Sequence, residues 1–219
     1  MTTKLINGIK LIEEHDMVCR ASVDGKFEPE TFQYLHLIKP KHFIDIGAYT
    51  GIYSLYCAEF FGAHCIAFEP NPTNFVRLSK NIYNNNLSHK VQACDSAISS
   101  HTGMIELYSN PNTKMSSGGS LIPSKNKSKV DAVFVESLDD FIADGNEYFV
   151  ADCIKIDVES NELAVLKGAI NYLKKHKPIL IVECLTESEL KQVTQYLQYF
   201  DYVNFHCFDQ RNYVFGANA

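Results

Sequence analysis

The sequence predicts an α/β fold with a doubly wound, Rossmann-like and mostly parallel sheet, and three observations support this prediction. Short, nearly continuous apolar runs rich in β-branched residues alternate with helical stretches. Such runs are typical of parallel strands that are covered on both faces. The helical stretches carry apolar residues three and four positions apart, and two of them begin with capping signals. Strand–helix–strand units with right-handed crossovers build a parallel sheet.

The elements of this sheet can be placed along the chain. The apolar runs predict parallel strands at His42–Ile46, Cys65–Phe68, Val91–Cys94, Cys153–Ile156 and Ile179–Val182. Spacing of apolar residues predicts a helix over Pro29–Ile38. Asn71 followed by Pro72 is an N-cap with proline at the first helical position. Thr186 and Glu189 have the spacing of a capping box.

Two regions depart from this alternation. Residues 103–108 and 131–136 read as two short strands on either side of a long polar connection, Ser109–Lys129. Phe200–His206 and Tyr213–Gly216 read as a C-terminal antiparallel hairpin. The predicted fold is therefore a parallel sheet that ends in an antiparallel hairpin.

Length and composition favour one folded domain after a short N-terminal segment. The chain has 219 residues, of which 46% are hydrophobic and 21% charged, as in ordinary globular proteins. We divide it into an N-terminal helical preamble, residues 1–40, and a domain, residues 41–219. A net charge of −6 argues against nucleic acid or an anionic membrane as partner. The seven cysteines form no CxxC pair and the chain has no long apolar segment, which predicts a cytoplasmic protein. The sequence does not specify the oligomeric state.

The first segment with chemical content is FIDIGAYTGIYSL, residues 43–55. A strand ending in Asp45 leads into a turn from Gly47 to Gly51, where doubly wound sheets bind nucleotide-like ligands. The spacing is GxxxG and not the GxGxxG of dinucleotide sites. Asp45 would repel a pyrophosphate but suits a ligand with an ammonium group. An ordinary tight strand–helix turn is the alternative.

Acidic residues also follow the next strands. Glu69, in the segment IAFEPNP, lies 22 positions after Gly47, which suits a carboxylate that accepts both hydrogens of a ribose diol. Asp95 and Ser96 follow the third strand and could hydrogen-bond a purine amino group. Strand ends on one edge of a parallel sheet lie close together, so these groups are predicted to line one site.

A fourth segment, CIKIDVESNELAVLKGA, places Asp157 at a strand end and Glu159 two residues later. Glu183 ends the following strand, so three carboxylates are predicted at this edge, available for acid–base chemistry or for a divalent cation. Lys155 lies within an otherwise apolar strand. We expect it to mark a partly solvated face or to extend past the sheet rim.

Together these segments resemble class I S-adenosylmethionine-dependent methyltransferases, and specifically the FkbM-type family. DIGAYTG resembles the family's glycine motif, FEPNP its second motif, IKIDVESNELAVLKGA its most specific signature, and IVEC its next acidic strand end. The phrase GKFEPE, with Glu28, resembles the lead-in to the glycine motif. Ser160 departs from the signature, which has glycine there, and so places a side chain where backbone can approach a substrate.

The resemblance implies S-adenosylmethionine as cofactor and a small-molecule or glycan acceptor, because the family is best known for O-methylation of sugar or natural-product hydroxyls. Asp45 would meet the methionine ammonium directly or through water, Glu69 would bind the ribose hydroxyls, and Asp95 with Ser96 would contact the adenine. The predicted cofactor-binding residues are Asp45, Gly47, Ala48, Tyr49, Gly51, Glu69, Pro70, Asp95 and Ser96.

A hydroxyl acceptor must lose its proton, and the sequence leaves several arrangements open. Asp157 is the first choice of base, because a buried carboxylate near others can have a raised pKa, and Glu159 would orient it or the substrate. Alternatively, Asp157 and Glu183 hold a divalent cation that polarises the hydroxyl. A third interpretation is that Glu159 and Glu183 only cap loops.

The long connection Ser109–Lys129 is predicted to be a lid, since loops of this length are usually functional or disordered. Its lysines and lack of acids favour an acceptor with negative charge, such as a uronic or phosphorylated sugar, although a solvated insertion explains them equally well. The predicted substrate-contacting residues are Glu28, Ser160, Glu183 and Lys114.

Two other functions remain open at this level. A nicotinamide-dependent oxidoreductase uses a similar sheet, but the missing GxGxxG and the acid at Asp45 count against it. A non-catalytic protein that retains the cofactor pocket is the other, and the carboxylates Asp157 and Glu159 count against that.

Overall fold

The fold is that of a computed structural model, which describes residues 2–6, 8–13, 25–109, 119–123 and 128–217. The strands are β1 (Thr2–Ile6), β2 (Ile9–Glu13), β3 (His42–Ile46), β4 (His64–Phe68), β5 (Val91–Cys94), β6 (Ala97–Ile98), β7 (Gly103–Ser109), β8 (Ser128–Glu136), β9 (Cys153–Ile156), β10 (Ile179–Glu183), β11 (Tyr202–Phe208) and β12 (Asn212–Ala217). The helices are α1 (Pro29–Ile38), α2 (Ile52–Phe61), α3 (Pro72–Asn84), α4 (Leu138–Ala143), α5 (Glu162–Lys167), α6 (Ile170–His176) and α7 (Glu187–Gln198).

A seven-stranded sheet forms the centre of the fold, in the order β11-β12-β10-β9-β3-β4-β5. The strands β5, β4, β3, β9 and β10 are parallel, and the hairpin β11–β12 adds to β10 in antiparallel orientation. The predicted fold class is confirmed. The chain runs from β3 outward to β5 and then returns on the other side of β3 with β9, so the strand order reverses between β3 and β9. Ligands of doubly wound sheets bind at such a reversal.

Helices cover both faces of this sheet. Alternate residues of each strand point to opposite faces. On one face Phe43 and Ile181 pack with α1, α2, α3 and β2. On the other face Ile44 and Leu180 pack with α4 to α7. Burial on both sides explains why the central strands read as continuous apolar runs.

The expected strand pair between β5 and β9 is present as β7 and β8, which pair in antiparallel orientation. They belong to a second, three-stranded sheet in the order β6-β8-β7, whose two-residue strand β6 the sequence does not predict. Ser120 bridges to Tyr108 on β7 and so brings the described residues 119–123 against this sheet. The small sheet stands beside the carboxyl edge of the central one, because Ala97, Ile98 and Leu107 lie around the same space as the ends of β3 and β4.

The N-terminal segment is not purely helical. Helix α1 is present as predicted, but it follows a β-hairpin in which Ile6 pairs with Ile9. The sequence carried a signal for this hairpin, because Asn-Gly at positions 7–8 is typical of two-residue turns, and Gly8 has a φ of 98°. Asn81 on α3 accepts a hydrogen bond from the amide of Ile12 at 2.8 Å, which ties the hairpin to the main body.

Helices α5 and α6 follow each other closely and are separated only by Gly168 and Ala169. A Cβ atom on Gly168 would lie 1.9 Å from the carbonyl oxygen of Ser99, so only glycine allows this approach of the two backbones.

Among the described helices, none has both the length and the apolar character needed to cross a membrane.

Candidate functional site

A cavity of about 280 Å³ lies at the carboxyl edge of the central sheet, where the strand order reverses. Its walls come from the ends of β3, β4, β9 and β10, from the start of α2 and from the small sheet. The predicted site residues that line it are Glu28, Gly47, Ala48, Tyr49, Glu69, Pro70, Ser96, Asp157, Glu159 and Glu183. Segments that are far apart in the sequence thus meet at one site.

The glycine turn packs directly on the end of β9. Gly47 has a φ of 86°, and a Cβ atom there would lie 1.8 Å from the carbonyl oxygen of Asp157. Only glycine allows both this backbone conformation and this contact. The turn and the proposed acid–base segment are therefore in van der Waals contact.

Most backbone amides of the turn are already used inside the protein. The amides of Gly47 and Ala48 donate to the carbonyl of Phe68 at 3.0 and 2.9 Å, and that of Gly51 donates to Ala48 at 2.8 Å. The amide of Tyr49 donates to Oε2 of Glu69 at 2.8 Å. A pyrophosphate needs free amides at this position, so the turn favours a ligand of another kind.

Thr50 is a site residue that sequence reasoning missed. Its side chain is fully buried, it lines the cavity, and its Oγ1 has no hydrogen-bond partner within the described part of the chain. Buried hydroxyls are normally satisfied, so an unpartnered hydroxyl next to the cavity is unusual. The residue lies between the two glycines, but a threonine in a turn carries no distinctive sequence signal.

Glu69 braces the turn from the neighbouring strand. Besides Tyr49, it accepts a hydrogen bond from the amide of Asn71 at 2.9 Å, so each carboxylate oxygen receives one backbone donor. Burial raises the pKa of Glu69 to about 7, against these hydrogen bonds. The side chain of Asn74 also hydrogen-bonds this carboxylate, which leaves about one of its four acceptor positions for a hydroxyl group of a ligand.

Four predicted residues lie outside the cavity wall. Asp45 accepts hydrogen bonds from Oγ and the amide of Ser54, at 2.7 and 3.2 Å, and so faces α2. Burial raises its pKa to about 6. Gly51 packs on Leu78, and Asp95 is exposed. The fourth is Ser160, which is described below with the signature segment.

Ser96 does line the cavity, and its Oγ donates to Oε1 of Glu136 at 2.7 Å. The predicted lid lies largely outside the described residues, including Lys114, Lys125 and Lys127. Of its described part, Gly119 and Leu121 line the cavity. Lys129 instead contacts Glu106 at 2.6 Å on the surface.

The expectation that Lys155 reaches solvent is wrong. Its side chain is only 1% exposed, and its Nζ lies 3.2 Å from Oδ2 of Asp157 and 5.3 Å from the ring centre of Tyr53. Burial disfavours the charged amine, but the carboxylates of Asp157, Glu28 and Glu183 raise the pKa of Lys155 above its ordinary value. A permanent positive charge therefore lies beneath the cavity floor.

The structure also reverses the expected proton distribution on the carboxylates. Burial works to raise the pKa of Asp157, but Lys155 and a hydrogen bond from Glu183 lower it below its usual range. For Glu183, burial and the charge of Asp157 raise the pKa to about 9. At neutral pH Glu183 thus holds the proton and donates it to an ionised Asp157. The raised pKa expected on Asp157 lies on its neighbour.

Two further contacts complete this cluster. Nη1 of Arg211, in the turn between β11 and β12, lies 3.3 Å from Oε1 of Glu183 and lines the cavity. The hydroxyl of Tyr53, on α2, donates to Oε2 of Glu28. Sequence reasoning missed both residues, since Arg211 lies outside every motif and Tyr53 follows the glycine motif by two positions.

The signature segment turns sharply after Asp157. Glu159 and Ser160 have φ angles of 57° and 77°, both in the left-handed region. Oε1 of Glu162 holds the turn by accepting from the amides of Val158 and Ser160, at 3.3 and 3.2 Å. This conformation explains why glycine suits position 160 in the family signature. Ser160 itself does not line the cavity, whereas Glu159 does.

Asp157 and Glu183 are in contact, as a shared metal site would require. The third group beside Asp157, however, is the ammonium group of Lys155 and not another carboxylate. Within the described ranges, no group of three or more His, Cys, Asp or Glu side chains is arranged to hold a metal ion. The hypothesis of a divalent cation at this pair therefore gains no support from the geometry.

A Rossmann-like sheet with this glycine turn and with acids at successive strand ends places the fold among the class I methyltransferases. Residues 45–204 match the sequence model of the family described as the methyltransferase FkbM domain. The chain therefore belongs to the FkbM methyltransferase family.

Two curated proteins are similar in sequence. The hexuronic acid methyltransferase AglP of Haloferax volcanii is 29% identical over 153 residues, which cover 70% of this chain and 59% of that protein. The methyltransferase sdnD of Sordaria araneosa is 28% identical over 171 residues, which cover 65% of each chain. The chain thus spans less than two thirds of the length of either relative.

Solved structures share the fold at lower identity. A methyltransferase FkbM from Methylobacillus flagellatus has a TM-score of 0.58 and 20% identity, over 81% of this chain and 43% of that one. A putative caffeoyl-CoA O-methyltransferase from Staphylococcus aureus has a TM-score of 0.55 and 13% identity, over 93% of both chains. These similarities concern the arrangement of helices and strands.

Proposed function

We propose that the protein transfers a methyl group from S-adenosylmethionine to a hydroxyl group of a sugar, a glycan precursor or a natural-product small molecule. The observation that carries this proposal is that one cavity joins the glycine turn to the carboxyl pair Asp157–Glu183, with Gly47 packed on the backbone of Asp157. Family membership and the names of the two relatives support it.

The residues of the turn fit S-adenosylmethionine better than a dinucleotide. The amides that would hold a pyrophosphate are committed, while Glu69 keeps acceptor capacity for a ribose hydroxyl and Thr50 offers an unpartnered hydroxyl. Asp45 would act on the methionine end indirectly, through the start of α2 that it caps. When bound, S-adenosylmethionine supplies the electrophilic methyl group.

The protein's own part of the reaction is to hold the acceptor and to remove its proton. We assign the base to Glu183, in place of Asp157, because a base with a pKa near 9 is better matched to an alcohol than one with a lowered pKa. Once Glu183 has lost its own proton, the buried ammonium group of Lys155 stabilises the negative charge of the carboxyl pair. Asp157 is then the hydrogen-bond partner that orients Glu183.

Glu159 is assigned to the acceptor, since it lines the same wall two residues beyond Asp157. Its carbonyl accepts a hydrogen bond from Oγ of Ser120 at 2.9 Å, which fixes the backbone of this turn against residues 119–123. We place Glu28 and Tyr53 beside the carboxyl pair on the acceptor side, since the ring of Tyr53 lies 5.3 Å from Nζ of Lys155 and Tyr53 donates to Glu28.

Binding and transfer experiments test the proposal separately. Calorimetry with S-adenosylhomocysteine and with NAD should give binding of the first only, and binding of NAD alone would favour an oxidoreductase. Labelled methyl transfer into pools of sugars and small hydroxylated metabolites should give a labelled product. Asp157→Asn is the control, because it removes the charge but keeps the shape. Cofactor binding with unchanged biological activity in Asp157→Asn would favour a non-catalytic role.

A further inference from the structure

Arg211 is the one cationic side chain among the described residues that line the cavity. It comes from the turn between β11 and β12, outside every motif of the cofactor site. Its side chain is 55% exposed, and its contact with Glu183 uses a single nitrogen at 3.3 Å. A guanidinium has five N–H donors in a fixed fork, so this contact leaves most of its donors available to a ligand.

The turn that carries Arg211 is held at both ends. The carbonyl of Arg211 accepts a hydrogen bond from the amide of Cys184 at 2.9 Å, directly after β10. Two residues earlier, the carboxylate of Asp209 accepts from the amide and the Oγ1 of Thr31, at 2.9 and 2.7 Å. In the other direction, the amide of Asp209 donates to the carboxylate of Glu30 at 2.9 Å. The backbone beneath the guanidinium is therefore fixed against α1 and β10.

Part of the acidic charge in the cavity is compensated without Arg211. Lys155 pairs with Asp157, and Tyr53 donates a hydrogen bond to Glu28, while Glu69 and Glu159 line the cavity further along. Glu183 is neutral while it holds its proton. Arg211 therefore keeps its positive charge available at the end of the cavity where the proton of the acceptor is removed.

We propose that Arg211 binds a carboxylate of the methyl acceptor, so that the favoured acceptor is a hydroxy acid of the uronic-acid type. This inference rests on the proposed function, because it concerns the acceptor side of the same cavity. The distance of 3.3 Å between Arg211 and Glu183 sets the geometry: a hydroxyl at Glu183 and a carboxylate at Arg211 must lie within a few bonds of each other. A sugar acid meets this requirement, and a planar carboxylate matches the guanidinium fork.

The test compares acids with their parent sugars in the protein saturated with S-adenosylhomocysteine. Methyl β-D-glucuronide and D-galacturonate are titrated against methyl β-D-glucoside and D-galactose, with dissociation constants measured by NMR. We expect at least one acid to bind about tenfold more tightly than its parent sugar, the gain typical of one charge-assisted hydrogen-bonded pair. In Arg211→Gln this preference should disappear while binding of the neutral sugar is kept.

Two further variants show whether the preference for the acid depends on the guanidinium group itself, on positive charge alone or on a distant surface cation. Arg211→Lys should keep only part of the preference, because it retains the charge but loses the fork. Lys191→Gln, which removes an exposed cation on α7, should keep all of it. Equal binding of acid and parent sugar by the wild type, or an undiminished preference in Arg211→Gln, would overturn the inference. Loss of S-adenosylhomocysteine binding would instead contradict the proposed function itself, and calorimetry measures this independently.

Discussion

The raised pKa of Glu183 makes the pH dependence of methyl transfer the sharpest test of the proposed chemistry. The side chain is buried, and the groups that face it are Lys155 on β9, Asp157 directly after β9 and Arg211 in the β11–β12 turn. Burial and the charge of Asp157 raise its pKa from 4.5 to about 9, against the two cations. About 1% of Glu183 is therefore ionised at pH 7 and about half at pH 9.

If ionised Glu183 is the base, the rate of methyl transfer should rise about tenfold per pH unit above pH 7 and level off near pH 9. The total increase between pH 7 and pH 9 is about fiftyfold on this basis. Formation of S-adenosylhomocysteine is measured at saturating cofactor between pH 6 and pH 10. Glu183→Gln should lose both the rise and most of the activity.

The pH dependence of the free energy of unfolding shows whether Glu183 acts as the base or only supports the structure. A carboxyl whose pKa is raised on folding binds its proton more tightly in the folded state, so its contribution to stability is greatest at low pH and is lost as pH rises from 4.5 through about 9. Glutamine imitates the protonated acid and can still donate to Asp157. Glu183→Gln should therefore fold normally and unfold less readily than the wild type above pH 9. A flat rate profile in the wild type, or the same alkaline rise in Glu183→Gln, would refute the assignment of the base.

Three further predictions concern backbone and capping positions. Ser160→Gly should raise the free energy of unfolding in urea by about 0.5 to 1 kcal/mol, because it removes a side chain at a φ of 77°; a decrease would mean that the serine side chain makes an essential contact. Asp209→Ala should lower it by about 1 kcal/mol, since the first turn of α1 loses a carboxylate acceptor, and an unchanged Tm would count against the capping role. Gly47→Ala should weaken S-adenosylhomocysteine binding about tenfold or more in calorimetry, because its Cβ would lie 1.8 Å from the carbonyl oxygen of Asp157; Gly62→Ala, at a similar φ with nothing within 4 Å, should bind normally, and equal affinities would contradict this explanation.

Local chemistry explains why much of the fold could be predicted. Asn71 caps α3 by accepting from the amides of Thr73 and Asn74, and Thr186 with Glu189 forms the reciprocal capping box of α7, both as the sequence indicates. These signals operate within a few residues. The strand ends that carry Glu69, Asp157 and Glu183 were predictable for a related reason, since parallel strands bring their carboxyl ends to one edge.

Other features depend on contacts between distant parts of the chain. Sequence spacing placed Asp45 toward a ligand, whereas the fold turns it to Ser54 on α2. It also left Lys155 at a solvated rim, whereas the structure buries it next to the ring of Tyr53 on α2. In both cases the alternation of side chains along a strand was available from the sequence, but the neighbour that would receive each side chain was not.

The sequence alone determined the order of the parallel strands, the family and the edge of the sheet at which the site lies, because those follow from local periodicity, capping and short motifs. Only the tertiary structure decided which carboxylate holds the proton and which cation faces the acceptor. A pKa depends on burial and on charges across space, and Glu183 receives its partners from β9 and from a turn 28 residues further along the chain.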